Sequence, residues 1–178
     1  MNFSRLEKNL TDNIKEAQLK LGFDNRPMSL NYMQTSLDNL LGGACGQTAL
    51  DEFADLVLPR LGRLSFRKIK DGICITVPEE GTSYVNGLEE RYGFLTELVE
   101  KVRCHGISLE EVTDIFRKYS DNVVTEDGNG EDFDLLVYFA DQSPDEYLYC
   151  LTAEPCMGGG CHVIYHRFIR EDYEDIGF

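Results

Sequence analysis

Two stretches of this sequence hold residue types that could make and break bonds. Gly42-Gly43-Ala44-Cys45-Gly46-Gln47-Thr48-Ala49-Leu50 places a thiol at or just before the expected start of a helix. At such a position the helix dipole and the first backbone N–H groups favour a thiolate and could hold a developing oxyanion. Far downstream, Gly159-Gly160-Cys161-His162-Val163-Ile164-Tyr165 puts an imidazole at the start of an apolar strand. A thiol and an imidazole brought together would make a nucleophile and its base. The same residues also have a plain reading, in which Gly42-Gly43 ends one helix and Cys45 packs as a small hydrophobe. No Lys follows these glycines, so they do not form a phosphate loop.

Together the two stretches resemble the papain-like cysteine peptidase pattern, a Cys-Gly heading a helix and a Gly-His opening a strand. That resemblance implies Cys45 as nucleophile and His162 as base, with Asp141 or Asp172 orienting the imidazole. The sequence departs from the pattern twice. No Gln lies a few residues before Cys45 to supply an oxyanion donor, and Cys161 interrupts the Gly-His pair.

A second constellation gathers Cys150, Cys156, Cys161, His162 and His166 within 17 residues, which would make a zinc module. Its spacing lacks the short Cys-x₂₋₄-Cys pair of zinc hooks, and neighbours on a strand point to opposite faces. A Cys156–Cys161 bridge across a hairpin would need Cα atoms within about 7 Å. Asp127-Gly128-Asn129-Gly130 suggests the middle of a calcium loop, but Thr125 and Leu136 then stand where acidic ligands are required. A tight turn explains all four residues. Adjacent acids such as Glu110-Glu111 diverge by about 100° on a helix and form solvated faces. His105 follows Cys104 at an expected helix end, a favourable place for a cation. Tyr147, Tyr149, Tyr165 and Tyr173 could line one sheet face, as a binding patch or as core.

These side chains need elements to hold them. Phe3, Leu6, Leu10, Ile14, Ala17 and Leu21 recur at helical spacing and stop at Gly22. A second helix is expected over Ser29–Leu41, and a third follows Gly46 and halts before Pro59. Lys70-Asp71-Gly72 between Leu64–Ile69 and Ile73–Val77 is a hairpin signal, since an Asp-Gly turn commonly uses positive φ. Helices return over Ser83–Arg103 and, after the capping box Ser108/Glu111, through Tyr119. Four strands follow, over 122–126, 133–140, 147–154 and 161–169. Their connections, including Met157-Gly158-Gly159-Gly160, are rich in turn formers. Helices first and strands last give an α+β fold, with N-terminal helices packed on a mainly antiparallel sheet formed by the hairpin and the C-terminal meander. Residues 1–178 are read as one domain. The closing segment His166–Asp175, with this order of elements, resembles an uncharacterised family of small bacterial hypothetical proteins, which implies no activity.

Composition bounds the function. The chain carries 32 acidic and 17 basic residues, a formal charge of −15. Up to Leu109 there are 15 acids and 13 bases, and from Glu110 onward 17 acids and 4 bases. This balance opposes nucleic acid and anionic membrane surfaces. The short basic stretch from Arg60 to Lys70 could face the acidic half. No apolar run reaches the ~18 residues of a membrane span. The N-terminus has no apolar signal core. Six cysteines without a secretory signal read as reduced thiols of the cytoplasm. The resulting expectation is an acidic cytoplasmic binding or regulatory domain without catalytic activity or cofactor, meeting a protein partner with a basic surface. The alternatives are a hydrolase using Cys45 and His162, and a zinc module using the C-terminal Cys/His cluster.

Overall fold

Helix α1 (Phe3–Leu21) starts at Asn2, whose side chain accepts from the Arg5 N–H at 3.2 Å, and ends at Gly22 with φ 89°. In this computed structural model, which describes residues 1–22, 25–156 and 161–177, the expected stripe of Leu6, Leu10 and Ile14 is fully buried. Leu21 is not part of it and stands 75% exposed. Polar residues are buried along the same helix, and α4 (Glu79–Asn86) satisfies two of them. Gln18 donates to the Thr82 carbonyl at 2.7 Å, and Lys15 to the Asn86 carbonyl at 3.1 Å. Burial of Lys15 pushes its ammonium pKa down, against the pull of Glu89. These bonds pair the Gln18 side-chain N–H and the Lys15 ammonium, as buried donors require, while Gln18 Oε1 is buried without a hydrogen-bond partner among the described residues.

The chain divides into two compact units, Met1–Tyr92 and Gly93–Phe178. In the first, β1 (Met28–Met33) pairs antiparallel with β3 (Gly72–Val77), which also pairs with β2 (Ser65–Ile69), in the order β1-β3-β2. Strand β1 replaces the first part of the helix expected from Ser29, and only α2 (Gln34–Leu41) remains helical. Leu30, Met33 and Leu37 do fit a helical stripe. Met28, Leu30 and Tyr32, however, alternate with exposed Ser29, Asn31 and Met33, and pairing with β3 selects the period of two. Helix α3 (Gln47–Leu61) runs through Pro59, where a stop was expected. The carbonyl that Pro59 crowds belongs to Asp55, one turn back and exposed to water.

The β2–β3 hairpin forms as expected, but Gly72 serves a different purpose. It opens β3 with no positive φ; a Cβ built there would lie 1.9 Å from the Tyr32 carbonyl oxygen. Close approach of two backbones therefore demands glycine. The helix expected over Ser83–Arg103 is broken into α4, a 3₁₀ turn (Glu89–Tyr92) and α5 (Gly93–Val102), with Gly87 and Gly93 at the breaks.

In the second unit, α5 is followed by α6 (Leu109–Tyr119), whose Ser108/Glu111 capping box forms as read, with N–H to side-chain bonds of 3.2 and 2.9 Å. Strands β4 (Val123–Asp127), β5 (Leu135–Phe139), β6 (Leu148–Pro155) and β7 (Cys161–Phe168) make an antiparallel meander in chain order. Hairpin and meander thus belong to two sheets, within an α+β fold that has helices before the final strands. The β6–β7 connection at 157–160 lies outside the described residues. Phe94 of α5 meets Phe116, Phe139 and Tyr149 edge-on, with centroids 4.9, 5.0 and 5.8 Å away. Tyr147, Tyr149 and Tyr165 are buried, so these three rings are packing and not a presented patch. Tyr173, on α7 (Arg170–Ile176), lies against Phe133 and Phe168 beside the opposite sheet cluster of Leu136, Leu148 and Cys150. No described helix is long and apolar enough to cross a membrane.

Two substitutions test this packing. Gly72→Ala should destabilise by about 1–3 kcal/mol through overpacking, whereas Gly43→Ala, which meets nothing within 4 Å, should change the urea midpoint little. In the second unit, fully buried Tyr149 donates to Asp145 at 2.6 Å. Tyr149→Phe should cost about 1.5–3 kcal/mol, read as a lower midpoint at unchanged m-value.

Candidate functional site

A cleft of about 560 Å³ opens in the first unit beside Cys45. Its wall begins with the register of β1. Met33 pairs with Gly72, so the next residue, Gln34, meets the hairpin turn, and its backbone N–H donates to the Asp71 carbonyl at 3.0 Å. This satisfies one of the N–H groups that the start of α2 would leave without a partner. The Gln34 side-chain amide donates to Asp38 at 2.8 Å and to the Cys45 carbonyl at 3.0 Å. Asp38 in turn accepts the Cys45 N–H at 2.7 Å. Gly42 takes the left-handed conformation that ends α2, with φ 65°. The 42–45 turn is thereby stitched to α2 before α3 begins at N-cap Gly46.

Cys45 is 8% exposed. Burial, and then the Asp38 carboxylate, push its thiol pKa up. This is opposite to the direction expected for a thiol at the head of a helix. Two effects compete here: the dipole favours a thiolate, while desolvation and a like charge oppose it. The second pair wins, so the thiol is a neutral, weakly polar wall of the cleft.

Facing chemistry comes from the hairpin. Lys68 and Lys70 line the cleft together with Gln47, while Leu50, Phe66 and Ile73 give it an apolar floor. Neither lysine was marked out in the sequence beyond a basic stretch expected to face the acidic half. Arg60 of that stretch instead makes a two-pronged pair with Glu7 in the same unit, at 2.6 and 2.8 Å. Asp71 also lines the cleft, so two ammonium groups stand against one carboxylate. With two amides and an apolar floor, this net positive lining suits a small molecule with an apolar body and an acid group.

The other candidate residues lie in the second unit. His162 sits on β7, opposite Glu154 of β6. Asp141 accepts from the Asn122 amide at 2.9 Å, a bond that lowers its pKa, and Asp172 belongs to α7. Cys150 is buried in the outer sheet cluster, which pushes its thiol up to about 11. His166 is its cross-strand neighbour, whereas Cys161 shares its side of β7 with buried Val163 and Tyr165. Among the described residues no three His, Cys, Asp or Glu side chains are gathered so as to hold a metal ion. Alternation along the strand divides the proposed zinc ligands between two faces. Cys156 and Cys161 carry unbridged thiols. What the sequence reading missed is the neighbour of His162: the ring of His105 stands 5.7 Å from it. The repeated Cys-His dipeptide at 104–105 and 161–162 was the available signal.

The acids of α6 are also partly answered within the unit. Glu111 pairs with Lys101 at 2.9 Å, Asp114 with Arg117 at 2.9 Å, and Glu97 of α5 with Lys118 at 2.6 Å. Glu110 joins the same Arg117.

No curated protein and no solved structure matches the chain. The sequence does match, over residues 3–177, the family described as "Domain of unknown function, E. rectale Gene description (DUF3877)". That match covers both units and agrees with the resemblance to an uncharacterised family, whereas nothing found supports the resemblance to papain-like peptidases. The chain belongs to the DUF3877 family of domains of unknown function.

Proposed function

We propose that this chain is a non-catalytic binding or regulatory domain whose first unit takes up a small organic acid in the Cys45 cleft. The observation that carries this reading is the pairing of Lys68 and Lys70 with an apolar floor of Leu50, Phe66 and Ile73 in one cleft. Its volume of about 560 Å³ falls within the range usual for small-molecule sites. The ammonium groups attract the acid and fix its orientation, and the floor supplies most of the apolar contact. A neutral Cys45 beside Asp38 suits such a wall better than it suits a nucleophile. Gln34, already donating to Asp38 and to the Cys45 carbonyl, keeps the wall in place.

The binding claim is tested by calorimetry with a panel of aromatic and branched-chain carboxylic acids on the full chain. At least one should bind, and Lys68→Glu with Lys70→Glu should weaken it about tenfold or more, roughly 1.4 kcal/mol. Binding that ignores the double charge reversal would contradict the assignment.

The rival reading, a hydrolase that joins Cys45 to His162, is separated by thiol reactivity. A raised thiol pKa means less thiolate at a given pH, so at pH 8 Cys45 should alkylate more slowly than exposed Cys104. Its rate should rise with pH beyond the ordinary thiol range. Mass spectrometry of iodoacetamide-treated protein reads both cysteines at once. Fast labelling of Cys45 near pH 6–7 that is lost in His162→Ala would favour the hydrolase and sink the binding reading.

A further inference from the structure

We infer that His105 and His162 form a binding site for a divalent transition metal in the second unit. It shares His162 with the C-terminal cluster of Cys150, Cys156, Cys161, His162 and His166, but takes its other donor from the turn after α5. Two imidazoles on one zinc ion, each with a nitrogen about 2.1 Å from the metal, place their ring centroids roughly 5–6 Å apart. The two rings stand 5.7 Å apart with an interplanar angle of 86°. The contact is edge to face, and its centroid separation falls within the range a shared ion requires, between two side chains 57 positions apart in the sequence.

The backbone holds both rings from either side. His162 is fixed by the β6–β7 ladder, where it pairs with Glu154. His105 lies in the turn that leaves α5. There Cys104 N–H donates to the Lys101 carbonyl at 2.9 Å, and Gly106 N–H to the Cys161 carbonyl at 2.8 Å. Gly106 takes φ 75°, which lets the turn reach the strand. The second bond ties the turn directly to the residue before His162, so the pair does not depend on two independent loops. Ordering in advance removes much of the entropy that metal binding would otherwise cost.

Access and the remaining coordination positions follow. His105 is exposed and His162 half-exposed, so an ion can enter from solvent. No third donor is gathered among the described residues, so the site has two protein ligands, one fewer than the three of catalytic zinc sites, and water fills the other positions. Glu154, exposed on the same sheet face as its cross-strand partner His162, is the carboxylate nearest in register. Imidazole pairs suit zinc, copper and nickel and are poor ligands for calcium or magnesium. The class of ligand is thus a borderline transition ion.

The test is a titration of the full chain, kept reduced, with Zn²⁺ alone, followed by calorimetry and by the ring signals of the three histidines in NMR spectra. The expected result is one ion per chain, with the His105 and His162 signals moving together and the His166 signal staying in place. His105→Ala and His162→Ala should each weaken binding about tenfold or more, while His166→Ala and Cys150→Ser leave it within about twofold. Thermal midpoints of His105→Ala and His162→Ala, read by scanning calorimetry on the same samples, guard against altered folding. Absence of binding, binding that survives both variants, or a loss that follows Cys150→Ser or His166→Ala would overturn the assignment.

Discussion

The approach of Gly72 to the Tyr32 backbone governs the first unit. Without a side chain at position 72, β1 lies against the hairpin in a register that sets Met33 opposite Gly72. One residue later Gln34 meets Asp71, and its amide reaches Asp38 and Cys45. Hydrogen bonds to a carboxylate are worth about 1.5–3 kcal/mol each, and Asp38 accepts two here. Shifting β1 by a residue would remove Gln34 from this position and turn Tyr32 out of the core. The cleft is therefore a consequence of strand register: its floor comes from the hairpin and α3, and its wall from the turn that β1 delivers.

Much of this framework could be read from the residues, and the exceptions have physical causes. Helix α1, the capping box of α6 and the four-strand meander each carried a local signal, whether a stripe with a terminal Gly, a reciprocal cap, or alternating runs between turns. Strand β1 did not, because Leu30, Met33 and Leu37 satisfy the helical period as well as Met28, Leu30 and Tyr32 satisfy the extended one. Only the partner strand decides between them. Pro59 misled because the carbonyl it crowds, that of Asp55, lies on the exposed face of α3 and is left to water. Asp-Gly pointed to a turn for the wrong reason, since Gly72 is required by contact between strands and not by its φ.

The candidate sites were legible only in part. Cys45 stood out as a thiol heading a helix, and it does line a cleft. The carboxylate that reverses its expected ionisation lies seven residues earlier, on a different helix. Lys68 and Lys70 looked like members of a basic run, until the end of β2 and the hairpin turn after it set both on one cleft. His105 looked like an ordinary helix-end residue, because nothing local reveals that its turn is bound to the start of β7. Charge follows the same division. Met1–Tyr92 carries 13 acids and 11 bases, and Gly93–Phe178 carries 19 and 6. The lysines of the cleft thus act in a nearly neutral unit, while ion pairs on α5 and α6 temper the acidity of the other.

NMR mapping of ligand-induced amide shifts tests the central claim most directly. With a bound carboxylic acid, the largest changes should cluster at Gln34, at Cys45 through Ala49, and from Lys68 to Ile73. Shifts centred anywhere else, or spread without focus over the surface, would contradict the assignment of this cleft as the binding site.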